Sequence, residues 1–537
     1  MKEKFARWDI LFFQYLKRDW KKILIWILSL GLFSSGFVPF FNEMSEGEGL
    51  IAMYETLQNP AMIYMIGPTS INSAGDYTLG AMYAHEMLLF SSLFAMIISA
   101  LHVVGHTRKE EDLGLTELVR SFQIGRQANS LATIVETILI NGLLALLIGS
   151  VMISFDAYTI TIEGSFLFGA SIGMAGILGA TIALIMAQIM SSSSGATGST
   201  LGIIGLLYII RAGTDVTNIE FSKANPLSWT YLTFPFTEND GSFLIYAAVF
   251  CLVMVIIAFT LEGARDMGSG YLPERAGRDH ANQSLLSISG LFIRLNKNVM
   301  ISWLVAFAIM GAAYGSIYGD MQGFLESNEL IRQMFVSTGI SVEVSFTSTI
   351  MMIMIILVSI LPIAVVNKLF NEEVQLHLSQ IFATKVTRSH LFWTSIGLST
   401  LAGVIGILLA SLSLAWTALS TMTQQSPLNL TSFIGAGLNA FPSVLFFIGL
   451  AALTLGWAPR WGKAIYVYLG YSFLLNYFGS ILDLPKWVSR SALHSWVAHM
   501  PLDSFEIGSF TVILMISLCL ILIGYSGYIR RDLLEGA

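Results

Sequence analysis

Apolar stretches of about twenty residues recur along the whole chain, the length a helix needs to cross the hydrocarbon core of a bilayer. Twelve can be drawn. In the first half they run roughly over 23–41, 84–104, 131–155, 165–190, 195–211 and 243–262; in the second, over 299–319, 348–367, 392–416, 431–457, 464–482 and 508–528. Only 12% of the 537 residues are charged and 55% are hydrophobic, with a mean hydropathy of +0.70. A soluble globular chain carries about twice that charge fraction. The sequence therefore predicts an all-α polytopic membrane protein. The opening residues, MKEKFARWDILFFQYLKRDWKK, are too charged and too long to read as a signal peptide.

Charge location sets the orientation. Loops on one side hold only Arg211, Lys223, Arg332, Lys486 and Arg490, while the other loops and both termini hold the rest of the 28 Lys and Arg. Basic residues stay on the cytoplasmic side, so both termini are expected there, in a multi-pass protein of the cell membrane.

The two halves repeat each other. His106 to Arg126 reads HTRKEEDLGLTELVRSFQIGR, and Lys368 to Arg388 reads KLFNEEVQLHLSQIFATKVTR. At one constant offset Val103-Val104 meets Val365-Val366, Glu110-Glu111 meets Glu372-Glu373, and Arg126 meets Arg388. Trp26 has a counterpart in Trp303, each after a basic amphipathic lead-in, Phe12 to Lys22 and Leu291 to Lys297. These leads are expected to lie in the interface before the chain turns into the bilayer. Trp229 and Pro235 precede the sixth span as Trp496 and Pro501 precede the twelfth, the tryptophans reading as an interfacial aromatic belt. Six spans per half make the repeats parallel. The expected organisation is a first half over 1–262, a linker with the second lead-in over 263–296, and a second half over 297–537.

Catalytic signatures are missing. The chain has no GxxxxGK[ST] loop to cradle a nucleotide and no HExxH. Cys251 and Cys519 lie in apolar spans and imply neither a disulfide framework nor a metal site. His102 and His106, four apart, can share a helix face, but a pair of ligands without a third marks no metal site. Glu136 stands inside the third span. An intramembrane acid is costly and often functional; alternatively it snorkels to the inner interface or pairs with a lead-in lysine. Its counterpart Leu398 is apolar, which disfavours a symmetric proton relay.

The two charged segments carry the functional reading. Leu115, Leu118 and Phe122 form one apolar helix face amid Glu110, Glu111, Asp112, Glu117 and Arg120. A short amphipathic helix of this kind fits a groove on another protein. KEEDLGLTELVRSFQIGR resembles the second-loop motif of ABC-2 type ABC transporter permeases: an acidic pair, then Gly114, then Thr116-Glu117-Leu118, ending in Arg126. The second copy departs from it, with Leu376 for the glycine and Ser379 for the glutamate. The fused twelve-span size is similar to the branch of polyketide and tetronasin-type antibiotic exporters.

That resemblance implies a coupling helix seated on a separate ABC ATPase. It implies two ATPase copies, with ATP and Mg on those subunits and no cofactor in this chain. The coupling residues it implies are Glu110, Glu111, Gly114, Glu117, Leu118 and Arg126, with Glu372, Glu373 and Arg388 in the second copy. The glutamates are expected to meet basic groups on the ATPase and the arginines to anchor the return into the bilayer. Besides the ATPase, the expected partners are the lipid bilayer and an amphipathic drug or antibiotic, with no nucleic acid. A lipid or polysaccharide exporter and a twelve-span ion-coupled carrier are the alternatives.

Overall fold

The computed structural model describes every residue except 1, 46–48, 59, 273–278, 320–341, 423–426, 479–484 and 534–537. All regular structure among the described residues is helical, and eleven helices are long and apolar enough to cross a membrane. The expected eleventh span, over 464–482, corresponds to a shorter helix, Ala464–Phe478, whose continuation lies outside the described residues.

The chain divides into two compact units, Met1–Ala276 and Gly277–Ala537. The first contains α1 (Trp8–Ser35), α2 (Leu79–His106), the short α3 (Arg108–Asp112) and α4 (Leu115–Arg120), then α5 (Ala128–Ser154), α6 (Ile162–Ile189), α7 (Ser193–Thr217) and α8 (Ser242–Ala264). The second contains α9 (Ile288–Ser316), α10 (Val342–Val374), the short α11 (His377–Phe382), α12 (Arg388–Thr421), α13 (Leu430–Asn439), α14 (Phe441–Trp457), α15 (Ala464–Phe478) and α16 (Ile507–Arg530).

The helix starts are written locally. Thr78, Thr161, Ser192 and Thr387 each accept a hydrogen bond from the backbone N–H three residues on, and Asn429 forms a capping box with Ser432. These caps satisfy amides that the first turn leaves without a partner.

The lead-ins differ from expectation. Phe12 to Lys22 is the first part of α1, and Leu291 to Lys297 lies within α9, each continuous with its span. No glycine or proline falls between Phe12 and Gly31, or between Leu291 and Gly311, so nothing breaks the helix where a turn was expected. At 1.5 Å per residue α1 is about 42 Å long, more than the hydrocarbon core requires.

Within each unit the same pairs of helices pack. In the first, α1 packs on α5, α2 on α6, α5 on α6, and α6 on α8. In the second, α9 packs on α12, α10 on α14, α12 on α14, and α14 on α16. The repeat read from sequence is thus a repeat of packing. Helices in lipid gain little from burying apolar surface, so they associate where small residues let backbones approach. Gly169 and Gly173 of α6 face backbone carbonyls of α5, and Gly179 faces that of Met96 on α2. Gly456 and Gly524 meet backbone to backbone between α14 and α16.

Arg211, counted above with a loop, lies inside α7 and is fully buried. It pairs with Asp215 at 3.0 Å and donates to the carbonyls of Tyr64 and Met65 at 2.7 and 2.8 Å. A buried guanidinium persists only when paired in this way.

Candidate functional site

The two charged segments adopt the same backbone. In the first, α3 ends at Asp112, Gly114 takes a left-handed conformation (φ 72°), and α4 begins at Leu115. In the second, α10 runs to Val374, Leu376 takes φ 65°, and α11 begins at His377. A Cβ at Gly114 would meet nothing within 4 Å, so the backbone angle is what favours glycine there. Leucine holds the same angle in the second copy at a steric cost of about 1–2 kcal/mol.

The acidic pairs face inward. Glu110 is buried and takes Arg18 of α1 at 2.8 Å, with the Tyr15 hydroxyl donating to it at 3.4 Å. Glu111 takes Arg265 through both terminal nitrogens, at 2.7 and 2.6 Å, and the Gly268 amide at 2.6 Å. In the repeat, Glu372 takes Lys368 and His377, both at 2.6 Å. Glu373 takes Arg531 through both terminal nitrogens at 2.5 and 2.6 Å. The four carboxylates that sequence assigned to a partner subunit are thus engaged within this chain.

The arginines that close each segment complete the device. Arg126 donates to the backbone carbonyl of Arg265, and Arg388 to that of Arg531 at 2.6 Å. Arg265 and Arg531 each stand just beyond the last long helix of their unit, α8 and α16. The three-residue latch Glu111–Arg265–Arg126 therefore recurs as Glu373–Arg531–Arg388. Bidentate arginine–carboxylate pairs fix direction as well as distance. Each latch makes one body of a charged segment and the end of its last spanning helix.

Arg108 reinforces the first copy. It is 1% exposed, pairs with Glu111 and Asp112, both at 3.3 Å, and donates to the carbonyls of Ser191, Gly268 and Ser269. Ser191 lies in the short link between α6 and α7, and Gly268 and Ser269 belong to the chain leaving α8, which also bridges Met190 through Leu272.

The first segment exposes a set of apolar side chains. Leu113 and Leu118 are 64% exposed and Phe122 66%, with Leu115 and Glu117 also exposed. In the second copy Leu376 is exposed, but Leu378 is buried. Gly114 and Leu118 thus form the turn and the outward face of the first segment, and Glu117 is the acid of that segment left outward with Asp112.

Glu136 neither snorkels nor meets a lysine. It is fully buried in α5, with His102 Nε2 at 3.2 Å from one carboxylate oxygen and no hydrogen-bond partner for the other. His106 packs on His102 with ring centroids 4.2 Å apart, and its Nε2 lies 2.9 Å from Asp19 of α1.

Sequence reading missed Arg18, Asp19, Arg108, Arg265 and Arg531. A signal existed for two of them: an Arg-Asp pair follows the last apolar run of each half, Arg265-Asp266 and Arg531-Asp532.

Two comparisons bear on the site. Residues 285–529 match the family model described as multidrug efflux system permease Rv1217c, C-terminal domain. Across 526 residues the chain is 22% identical to the multidrug efflux system permease protein Rv1217c of Mycobacterium tuberculosis (strain ATCC 25618 / H37Rv). That alignment covers 96% of this chain and 94% of the relative, so both halves and both charged segments lie within the similarity.

Proposed function

We propose that this chain is the membrane-spanning permease subunit of an ATP-driven exporter of the ABC-2 type, moving amphipathic drugs or antibiotics out of the cell. Similarity to a multidrug efflux permease over nearly the full length supports the efflux role. The observation that carries the ATP-driven reading is the exposed apolar face of Leu113, Leu115, Leu118 and Phe122, held on a segment whose acidic pair, Glu110 and Glu111, is turned inward. Isolated apolar side chains on a surface are ordinary, but four on one braced turn mark an interaction surface.

In this reading each charged segment lies on the cytoplasmic side, as do both termini, and receives one copy of a separate ABC ATPase that binds ATP and Mg. The apolar face fills a groove on the ATPase, with Glu117 at its rim. The latch then gives the segment its mechanical use. Displacement of α3–α4 passes through Glu111 and Arg265 to α8, and displacement of α11 through Glu373 and Arg531 to α16. An ATPase that binds one state of the permease more tightly shifts the permease toward that state.

The test is to purify the chain with its candidate ABC ATPase and assay hydrolysis in lipid nanodiscs. A stable complex whose hydrolysis rises with apolar drugs supports the proposal. A chain that binds no ATPase overturns it and brings the ion-coupled carrier forward.

A further inference from the structure

The geometry points to a transition-metal site in the first unit, a divalent ion such as zinc held by His102, His106 and Glu136, with Asp19 behind His106. One ring nitrogen from each histidine and a carboxylate oxygen of Glu136 all lie within 4.8 Å of one another. His102 Nε2 and Glu136 Oε2 are 3.2 Å apart. A tetrahedral ion with bonds of about 2.0–2.2 Å sets its ligand atoms roughly 3.3–3.6 Å apart, so this edge is already near its final length.

Three features favour an ion over simple packing. First, the donor set is a histidine pair at i, i+4 on one helix face plus a carboxylate from a neighbouring helix, the two-histidine, one-glutamate set of many zinc centres. Second, Glu136 is fully buried and one of its oxygens has no hydrogen-bond partner. A buried carboxylate is costly until a cation meets it.

Third, the surroundings of His106 suit a ligand. Its Nε2 meets Asp19 at 2.9 Å, the carboxylate–histidine arrangement that orients metal-binding rings. Asp19 is itself fixed by Arg18 and Lys22, each at 2.9 Å. In a neutral ring whose Nε2–H donates to Asp19, Nδ1 carries a lone pair, yet it lies 3.0 Å from the His102 carbonyl oxygen. A small ring rotation away from that carbonyl would present Nδ1 to the cation while Nε2–H keeps Asp19.

The site belongs to one unit only. At the repeat positions of His102, His106 and Glu136 stand Ala364, Lys368 and Leu398, and Asp19 answers to Asn296. Lys368 is engaged with Glu372 at 2.6 Å. A bound ion would pin α1, α2 and α5 together directly ahead of the first charged segment, and would do so without the ATPase.

The experiment uses the full chain, purified with an affinity tag free of histidine and stripped with a chelator. It is titrated with Co2+ while visible d–d absorption is followed, and then with Zn2+ in competition. One equivalent of Co2+ per chain, with the intense bands of a four-coordinate ion and displacement by Zn2+, is the expected result. His102→Gln and Glu136→Gln should each abolish the bands. Asp19→Asn should keep the stoichiometry and weaken affinity about 10–100-fold, and His377→Ala, in the second segment, should change nothing. A monodisperse native chain that takes up no equivalent overturns the site, as does an H102Q/E136Q double variant that still binds one. Because the native titration decides on its own, a variant that fails to fold does not shelter the proposal.

Discussion

Arg531 closes on Glu373 with both guanidinium nitrogens, at 2.5 and 2.6 Å, and Arg265 closes on Glu111 in the same manner at 2.7 and 2.6 Å. The partners are 158 and 154 residues apart in the chain, so the first pair ties α10 to the end of α16 and the second ties α3 to the end of α8. Removing one member of a buried pair costs about 3–5 kcal/mol, because the other charge stays desolvated. Arg531→Ala should therefore lower the thermal stability of the purified chain strongly. Arg265→Ala should lower it as well, with Glu111 keeping Arg108 and the Gly268 amide. Replacing Glu373 and Arg531 together by leucine should recover part of the loss, and a double-mutant cycle on unfolding midpoints measures how much.

The docking surface makes a contrasting prediction. Leu118 and Phe122 are mostly exposed, so Leu118→Glu with Phe122→Glu should change stability by no more than about 0.5 kcal/mol. The same pair of substitutions should abolish association with the ATPase, read by co-purification. Charge reversal at Glu110 and Glu111 should abolish transport-coupled hydrolysis while leaving membrane insertion intact, but it should also lower stability, because Arg18 and Arg265 lose their glutamate partners. If ATPase binding survives the Leu118 and Phe122 changes, the groove-filling face lies elsewhere on the chain.

The distribution of apolar runs made the helices legible, because only their length is at issue in lipid. Eleven spans stand where the runs stand. The repeat was legible for the same reason: Glu110-Glu111 and Glu372-Glu373 return at one offset between apolar blocks. What the acids do was not legible. Their partners Arg18, Arg265 and Arg531 lie far away in sequence, and a charged loop reads as solvated until the fold brings a guanidinium to it. The lead-ins misled for a different reason. Amphipathicity describes which faces meet water and lipid, whereas a turn needs a residue that interrupts the helix, and neither lead-in contains one. Glu136 shows the limit most clearly. Its partner His102 sits on another helix, and a histidine pair became a three-group cluster only when α5 packed beside α2.

The left-handed positions separate backbone strain from side-chain contact. Gly114 has open space around its Cβ position and φ 72°, so Gly114→Leu should lose about 1 kcal/mol from the angle alone. Leu376 already bears that strain at φ 65°. Leu376→Gly should regain a similar amount, the greater freedom that glycine gives the unfolded chain offsetting part of the strain term in both variants. Hydrogen exchange over α4 and α11 reads both effects locally: faster exchange around 114–120 in the first variant, and slightly slower exchange around 376–382 in the second.

His494 gives the second unit a pH dependence of defined sign. Its ring is buried and stacked on Phe447, with centroids 5.7 Å apart, and Ser472 Oγ lies 2.7 Å from Nδ1. Burial, aided by the neighbouring His499, pushes its pKa down from the ordinary 6.5 to about 4. Between those values the unfolded chain binds a proton that the folded chain refuses, so stability rises with pH. The contribution is complete above pH 6.5 and is lost progressively as pH falls toward 4. Native chain in detergent should therefore show an unfolding temperature that declines over this window. His494→Gln, which cannot titrate, should show a shallower decline, whatever its stability at neutral pH. Ser472→Ala removes the hydroxyl that partners Nδ1, and it should lower stability at neutral pH by about 1 kcal/mol while keeping the decline. Equal slopes for native chain and His494→Gln would mean that the ring reaches solvent before it charges.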